Sequence, residues 1–374
     1  MTATPLSLDP EQCRGRQRWL AETLAEKDAD RALLVQPEHV QYFTGFRPHR
    51  LMQALVCIDA DGHCTLVAPN TVPEDAAADA VATFEAQWHS TLRQEQMAAA
   101  ARSLADALQT PSASQRTAVE FSSCPPILRE TLDSKSRGEL VDFEPALWQR
   151  RRNKDPDELA MIRRAIRCTE AMYARARTII QPGITELEVF NQLHAAAVEI
   201  AGEPLTALGN DYQCNSPGGA PRPRAAQAGE LFVLDLGPAY RGYYADNCRT
   251  ISVDGRPSDV QQQAWEAIVA ALEMVEQTVR PGVRCREVFE TSQQMLDGYR
   301  VDAFFHHLGH GCGLFPHEAP HLNPRWDDVF AEGDVFTAEP GLYGPELKAG
   351  IRLEQNYRVT SDGVELLTEF SLEL

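Results

Sequence analysis

The chain has 374 residues, 43% of them hydrophobic and 24% charged, with a formal net charge of −19. That length exceeds what one hydrophobic core usually serves, so two domains are expected. The acidity argues against nucleic acid and anionic membranes as partners, and no run of about 18 apolar residues offers a transmembrane helix.

The start, "MTATPLSLDPEQCRGRQRW", lacks the basic-then-apolar order of a signal peptide, which places the protein in the cytoplasm as an expectation. The nine cysteines are scattered without a C-x-x-C pair, so reduced, mostly buried thiols are expected. Residues 1–150 read as a mixed α/β domain with a structural or dimer-forming role. "RALLVQ" from Arg31 is a short strand, "ALVCIDADGHCTLVAP" a hairpin turning at Asp61-Gly62, and "QMAAAARSLADAL" a helix. This half carries no nucleophile motif and no metal-spaced cluster.

A boundary falls near residue 151. The basic segment Arg150–Lys154 reads as a polar linker. Asp155 then caps a helix with Pro156 at its first position and Glu158 in its first turn. Leu159, Ile162, Ile166 and Met172 share one face of that helix.

Residues 151–374 contain a diluted repeat. "PGITELEVF" from Pro182 and "PGVRCREVF" from Pro281 share P-G-[IV]-x3-E-V-F, and each predicts a tight turn entering a helix. "GELFVLD" ends at Asp235 and "GDVFTAE" at Glu339, each a Gly-acid turn, an apolar strand and a carboxylate. Two such pairs in the same order predict duplicated halves related by a pseudo-twofold axis, with the strand-end acids meeting at the centre.

Four acids are placed to meet there: Asp235, Asp246 eleven residues on, Glu339, and Glu354 fifteen residues further. Buried carboxylates so close repel one another unless cations lie among them. Two divalent ions balance four carboxylates and leave room for one bridging hydroxide, a pair about 3.5–4 Å apart that clamps a nucleophile and a polarised carbonyl. "FFHHLGHGCGLFPHEAPH", from Phe304 to His321, holds five of the ten histidines. His310 is placed to complete the coordination shell, because Gly309 and Gly311 let the backbone approach a metal. The oxygen-rich donor set favours Mn²⁺, with Co²⁺ and Zn²⁺ compatible. There is no H-E-x-x-H helix, and no G-K-[ST] or G-x-G-x-x-G follows the glycines to make a phosphate loop.

"DLGPAYRGYYADNCRT", "HHLGHGCGLFPHE", "AEPGLY" and "GIRLE" resemble the motifs of the pita-bread metallopeptidases, in the branch of prolidase (Xaa-Pro dipeptidase) and aminopeptidase P. The resemblance covers about residues 151–374; "RALLVQPEHVQYFTGF" resembles that branch's creatinase-like domain more loosely. It implies an α/β (α+β) chain, with an N-terminal creatinase-like domain over 1–150 and a pseudo-twofold catalytic domain over 151–374. It also implies that Asp235, Asp246, His310, Glu339 and Glu354 are the dinuclear metal ligands, and that His306 and His317 are catalytic imidazoles lining the substrate site, one for proton transfer and one near the scissile carbonyl. Glu339 is the family's candidate proton shuttle, and Arg352 and Tyr343 match residues beside the ligands. Arg325, fourteen residues before Glu339, matches the arginine that prolidases use for the dipeptide carboxylate. Within this resemblance His307 and His321 have no task and are assigned to packing or surface.

The implied function is metal-dependent hydrolysis of the peptide bond preceding proline, in Xaa-Pro dipeptides, by a homodimeric cytoplasmic enzyme acting on small peptides. Aminopeptidase P activity on longer Xaa-Pro peptides and a non-catalytic peptide-binding relative are the alternatives. A creatinase-like amidinohydrolase conflicts with the full ligand set, and a methionine aminopeptidase does not need the first domain. Two departures stand out. The family carries a further active-site histidine about seventeen residues before the first ligand, where this chain has Gly218 within "NSPGGAPRPR"; and Gln355 stands where an acid commonly follows the last ligand.

Overall fold

Asp61-Gly62 turns the hairpin where the sequence asks for it. Strands Leu55–Asp59 and Cys64–Pro69 pair antiparallel, Leu55 opposite Val67 and Ile58 opposite Cys64. Gly62 sits at φ +90°, a backbone conformation that favours glycine. The structure is a computed structural model and describes residues 5–108, 116–132 and 138–374. Among these the chain divides into two compact units, Ser7–Arg150 and Arg151–Leu374, with Pro5 and Leu6 belonging to the second.

The first unit is built on a six-stranded sheet among the described residues, ordered Ala80–Phe84, Cys64–Pro69, Leu55–Asp59, Arg31–Leu34, Thr117–Val119 and Leu140–Asp142. The inner strand Arg31–Leu34 is antiparallel to Leu55–Asp59 and parallel to Thr117–Val119. Alternate residues Leu55, Cys57 and Val67 face a core closed by Leu104 of the predicted helix, now seen over Gln96–Ala107. No candidate site residue comes from this unit.

In the second unit Asp155 and Glu158 form a capping box at the start of helix Pro156–Ile179. Ile162, Ile166 and Met172 are buried on one face, while Leu159 is half-buried. The preceding basic segment is not a solvated linker. Arg152 reaches Asp334 with Nε at 2.9 Å and Nη2 at 2.6 Å, and Arg151 and Lys154 both bind the buried Glu318. Buried acids recruited these cations, a tertiary demand that local composition does not display.

Both P-G repeats enter helices, Glu186–Ala201 and Cys285–Tyr299. Gly183 and Gly282 have φ of +96° and +91°, and a Cβ at either would meet nothing within 4 Å. It is the dihedral, not space, that selects glycine there. The two Gly-acid turns also correspond: Glu230 pairs with Arg224 as Asp334 pairs with Arg152. Each half contributes an antiparallel sheet. One runs Asp211–Cys214, Leu231–Leu236, Asn247–Ser252; the other contains Glu318–Leu322, Gly309–Gly311, Val335–Ala338, Gln355–Val359 and Val364–Leu366. Hydrogen bonds from Glu354 N to Cys248 O and from Asn356 Nδ2 to Asp246 O, both 2.9 Å, join the halves along a seam.

No helix among the described residues is long and apolar enough to cross a membrane. All nine cysteines are free, eight buried and Cys124 half-buried. Burial pushes the Cys168 thiol up to about 11 and those of Cys64 and Cys214 to about 12. Only the thiolate attacks a disulfide reagent. Titration of the native protein at pH 8 is therefore expected to count at most one thiol, Cys124, and nine after unfolding. A native count of three or more would contradict this packing.

Candidate active site

Along the seam the ends of four strands bring their acids together. Asp235 pairs in register with Cys248, and Leu236 with Asn247, so Asp246 follows directly beside it. Glu339 follows strand Val335–Ala338, and Glu354 lies between strands Ala349–Arg352 and Gln355–Val359. Donor atoms of Asp235, Glu339 and Glu354 lie within 4.8 Å of one another, and so do those of Asp246, His310 and Glu354. The five residues thus form two overlapping trios sharing Glu354.

His310 stands alone on a bare strand. A Cβ on Gly309 would lie 2.0 Å from Thr337 O, and one on Gly311 2.1 Å from Ala319 O. The glycines are thus required by neighbouring strands, not by approach to a metal as the sequence suggested. The His310 ring donates from Nδ1 to Gly311 O at 3.1 Å, which leaves the Nε2 lone pair facing Glu339 Oε1 at 3.5 Å and Asp246 Oδ2 at 3.8 Å. Burial holds this imidazole down at about 4, so it is neutral near pH 7 and able to ligate.

The electrostatics test whether cations fit. Burial, then Asp235 and Glu339, pushes Asp246 well above the carboxylate range; burial, then Asp246 and Glu339, does the same to Glu354. Asp235 is pushed up to about 6 by burial, offset in part by Arg352. Burial would raise Glu339 too, but the hydrogen bond from His307 and the surrounding imidazoles hold it near 2. Glu354 is 1% exposed, and its Oε2 has no hydrogen-bond partner among the described residues. A buried, unpartnered carboxylate oxygen among acids that resist ionisation is a site short of positive charge. Asp235, Asp246, His310, Glu339 and Glu354 therefore fit hard divalent cations.

Beside the acids runs a directed hydrogen-bond chain. Arg352 Nη1 donates to Tyr343 Oη at 3.1 Å, and Tyr343 donates to His306 Nε2 at 2.9 Å. His306 Nδ1 donates in turn to His307 O at 2.8 Å. Arg352 Nη2 also binds Asp235 Oδ2 at 2.7 Å and the carboxylate of Asp211. His317 is exposed and stacks on His310, ring centroids 3.7 Å apart.

These residues line one cleft of about 430 Å³. Asp235, Asp246, His306, His310, His317, Glu339, Tyr343, Arg352 and Glu354 all face it. Arg325 does not. It lies on the exposed loop after strand Glu318–Leu322, its backbone N–H donating to Asn323 Oδ1 at 3.0 Å. Fourteen residues of spacing do not bring it back, because the chain turns outward through Trp326 before returning as the Glu339 strand.

Several cleft residues were not anticipated. His307, assigned to packing or surface, places Nε2 2.7 Å from Glu339 Oε1. The one available signal was its place in the histidine cluster. His321 does behave as a packing residue, bonded to Asp328 and stacked on Trp326. Asn210, Pro217, Gly218 and Phe305 complete the lining. At Gly218 an added Cβ would fall 2.3 Å from Asp211 Oδ2, so Asp211 occupies the space a side chain at 218 would enter.

Residues 160–361 match the description Metallopeptidase family M24, and residues 16–152 match Creatinase/Prolidase N-terminal domain. An uncharacterised peptidase of Staphylococcus aureus strain MW2 is 27% identical over 358 residues, 94% of this chain and 98% of that protein. The prolidase of Pyrococcus horikoshii OT3 superposes with a TM-score of 0.80 at 24% identity, covering 96% of this chain and 99% of the other. The X-Pro aminopeptidase of Thermotoga maritima MSB8 gives 0.78 at 22% identity over 96% and 99%. These likenesses extend over both units and share the fold class read from the sequence.

Proposed function

We propose, from the premise that the chain belongs to metallopeptidase family M24, that it hydrolyses the peptide bond preceding proline in small Xaa-Pro peptides. The observation that carries this is the convergence of Asp235, Asp246, His310, Glu339 and Glu354 on one cleft, with Glu354 Oε2 buried and unpartnered. Two divalent ions, Mn²⁺ by the oxygen-rich donor set, would be held by these five residues and would activate water and polarise the scissile carbonyl.

The chain's own groups do the rest. Glu339, in contact with His307 and near His310, is the proton carrier of this reading, taking a proton on the water side and returning one to the secondary amine released from proline. His306, oriented by Tyr343 and Arg352, and His317, exposed on the cleft wall, face the substrate. Arg352 keeps Asp235 ionised and aimed at the centre. The bond before proline has no N–H, so recognition rests on shape and on the carbonyl.

Dipeptides are the first substrate to test. The position of Arg325 outside the cleft favours a second reading, cleavage of longer Xaa-Pro peptides. Arg352, the one Arg or Lys among the described lining residues, is engaged by Asp211 and Asp235, so the cleft itself offers no free guanidinium to a substrate carboxylate. The experiment loads purified protein with Mn²⁺ and follows amino-acid release from Ala-Pro and Ala-Pro-Ala. Release from Ala-Pro alone is the dipeptidase outcome; preferential cleavage of Ala-Pro-Ala makes the second reading correct. No release from either, with metal shown to be bound, would overturn the hydrolase proposal. A homodimer is part of this reading and is checked by light scattering.

A further inference from the structure

Gly218 brings no side chain to the cleft, and the Asp211 carboxylate fills the space beside it, held by Gly219 N at 2.7 Å and by Arg352. An imidazole cannot be accommodated there with Asp211 in place. The cleft nonetheless holds a fourth histidine for which the reaction above names no chemical task. His307 is half-buried, its side chain 29% exposed, with Nε2 2.7 Å from Glu339 Oε1. Its ring lies 5.3 Å from that of His310 and 5.6 Å from that of His317.

We infer that His307 is a positioning residue that donates from Nε2 to Glu339 and fixes that carboxylate's orientation. This rests on the reading of Glu339 as the proton carrier. Glu339 Oε1 lies 2.7 Å from His307 Nε2 and 3.5 Å from His310 Nε2, while Oε2 lies 3.9 Å from Arg352 Nε. A carboxylate accepts but cannot donate, so the proton of the 2.7 Å contact belongs to His307. His306 cannot substitute, because its Nε2 receives Tyr343 and its Nδ1 is spent on His307 O. His317 cannot either, because its ring lies flat on His310. His310 faces the same Oε1 but cannot donate to it, because its proton is on Nδ1 and spent on Gly311 O, so among the described lining residues only His307 donates an imidazole N–H to Glu339. Misplacing a reacting group by about 1 Å can cost on the order of a hundredfold in rate.

The test compares His307→Ala, His307→Gln and His307→Asn in the metal-loaded full chain. A glutamine amide can put an N–H where Nε2 stands; an asparagine amide reaches only the Nδ1 position. Alanine is expected to lower kcat by roughly 30- to 100-fold with KM changed less than about threefold, and glutamine to recover most of the loss while asparagine does not. Metal stoichiometry should equal the wild-type value in all three, since the inferred role is not ligation. Equal behaviour of Gln and Asn, an unchanged kcat in Ala, or loss of bound metal would each overturn the inference. A second readout does not need turnover. In metal-free protein the proton on His307 Nε2 should be visible in ¹H–¹⁵N spectra and shift in Glu339→Gln; an unmoved signal overturns the inference even if no peptide is cleaved. Wild-type protein inactive on every Xaa-Pro peptide but passing this spectroscopic test would sink the proposed reaction and leave the His307–Glu339 pairing standing.

Discussion

Asp246→Asn, stripped of divalent ions, is expected to melt above the wild-type chain, and below it once Mn²⁺ is added. Asp246 is held well above the carboxylate range by burial and by Asp235 and Glu339. In the unfolded chain it ionises near its ordinary value of 3.8, whereas in the folded chain it keeps its proton far longer. The sign follows from linkage: the folded state binds the extra proton, so this group's contribution falls as pH rises above about 4, by up to about 1.4 kcal/mol per unit until the folded group ionises. Asparagine keeps the shape and has no proton to hold, so its advantage in chelator should be larger at pH 8 than at pH 5.5. A gain on the order of 1–3 kcal/mol, a few degrees in Tm, is expected at the higher pH. Added Mn²⁺ reverses the order, because ions at a thousandfold their Kd stabilise the intact site by about 4 kcal/mol and the variant lacks a ligand. The same sign governs binding. Asp235, pushed up to about 6, must lose a proton to ligate, so Mn²⁺ affinity should fall as pH drops through that value. Differential scanning fluorimetry in EDTA and in Mn²⁺ at both pH values decides the matter; a variant that melts below wild type in EDTA would falsify the picture of mutually repelling acids.

Removing Arg352 should cost more than removing any single hydrogen bond in the cleft. The residue is 8% exposed, and its guanidinium serves Asp211, Asp235 and Tyr343 together. Arg352→Met leaves two partly buried carboxylates facing Glu339 without a cation, a defect worth about 3–5 kcal/mol when one partner of a buried ion pair is lost. Lysine restores a charge but not the fork that meets two carboxylates and a phenol, so Arg352→Lys should recover only part. Activity should drop by at least about a hundredfold in the methionine variant, because Tyr343 loses its donor and His306 its orientation. Denaturant melts in EDTA and steady-state kinetics in Mn²⁺ measure the two effects. Adding Asp211→Asn to Arg352→Met should return stability, with a coupling on the order of 1–3 kcal/mol; simple additivity would mean that Asp211 does not feel Arg352.

What the sequence made legible is what neighbouring residues decide. Asp61-Gly62 announces a hairpin, Asp155 and Glu158 a helix start, and the two P-G turns a pair of helices, because a dihedral or a cap a few residues away suffices. The five expected ligands and the cleft residues His306, His317, Tyr343 and Arg352 come together because each sits in a motif tied to a strand end. The misses are matters of register and long-range packing. Asp211 reaches Arg352 only because its strand pairs with that of Asp235, residue opposite residue. His307 turns into the cleft in an irregular stretch where no strand alternation assigns its face. Arg325 was read from its resemblance to the prolidase arginine at that spacing, and such a match says nothing of which way a loop leaves a sheet. The basic residues Arg151, Arg152 and Lys154 looked like a linker because their acidic partners, Glu318 and Asp334, lie more than 160 positions away.

The seam between the halves has a bearing on how such a domain can be rebuilt. Asp235 and Asp246 come from one half, and Glu339, Glu354 and His310 from the other, with Glu354 N bonded to Cys248 O across the join. The exposed turn at Gly255 and Arg256 links the halves without supplying one of the five converging residues. Grafting a half from a related chain at that turn would exchange its share of the five converging residues as a block and leave the partner block whole. The natural module for recombination is thus the half, and a chimaera succeeds or fails on whether the two edges meet in the right register.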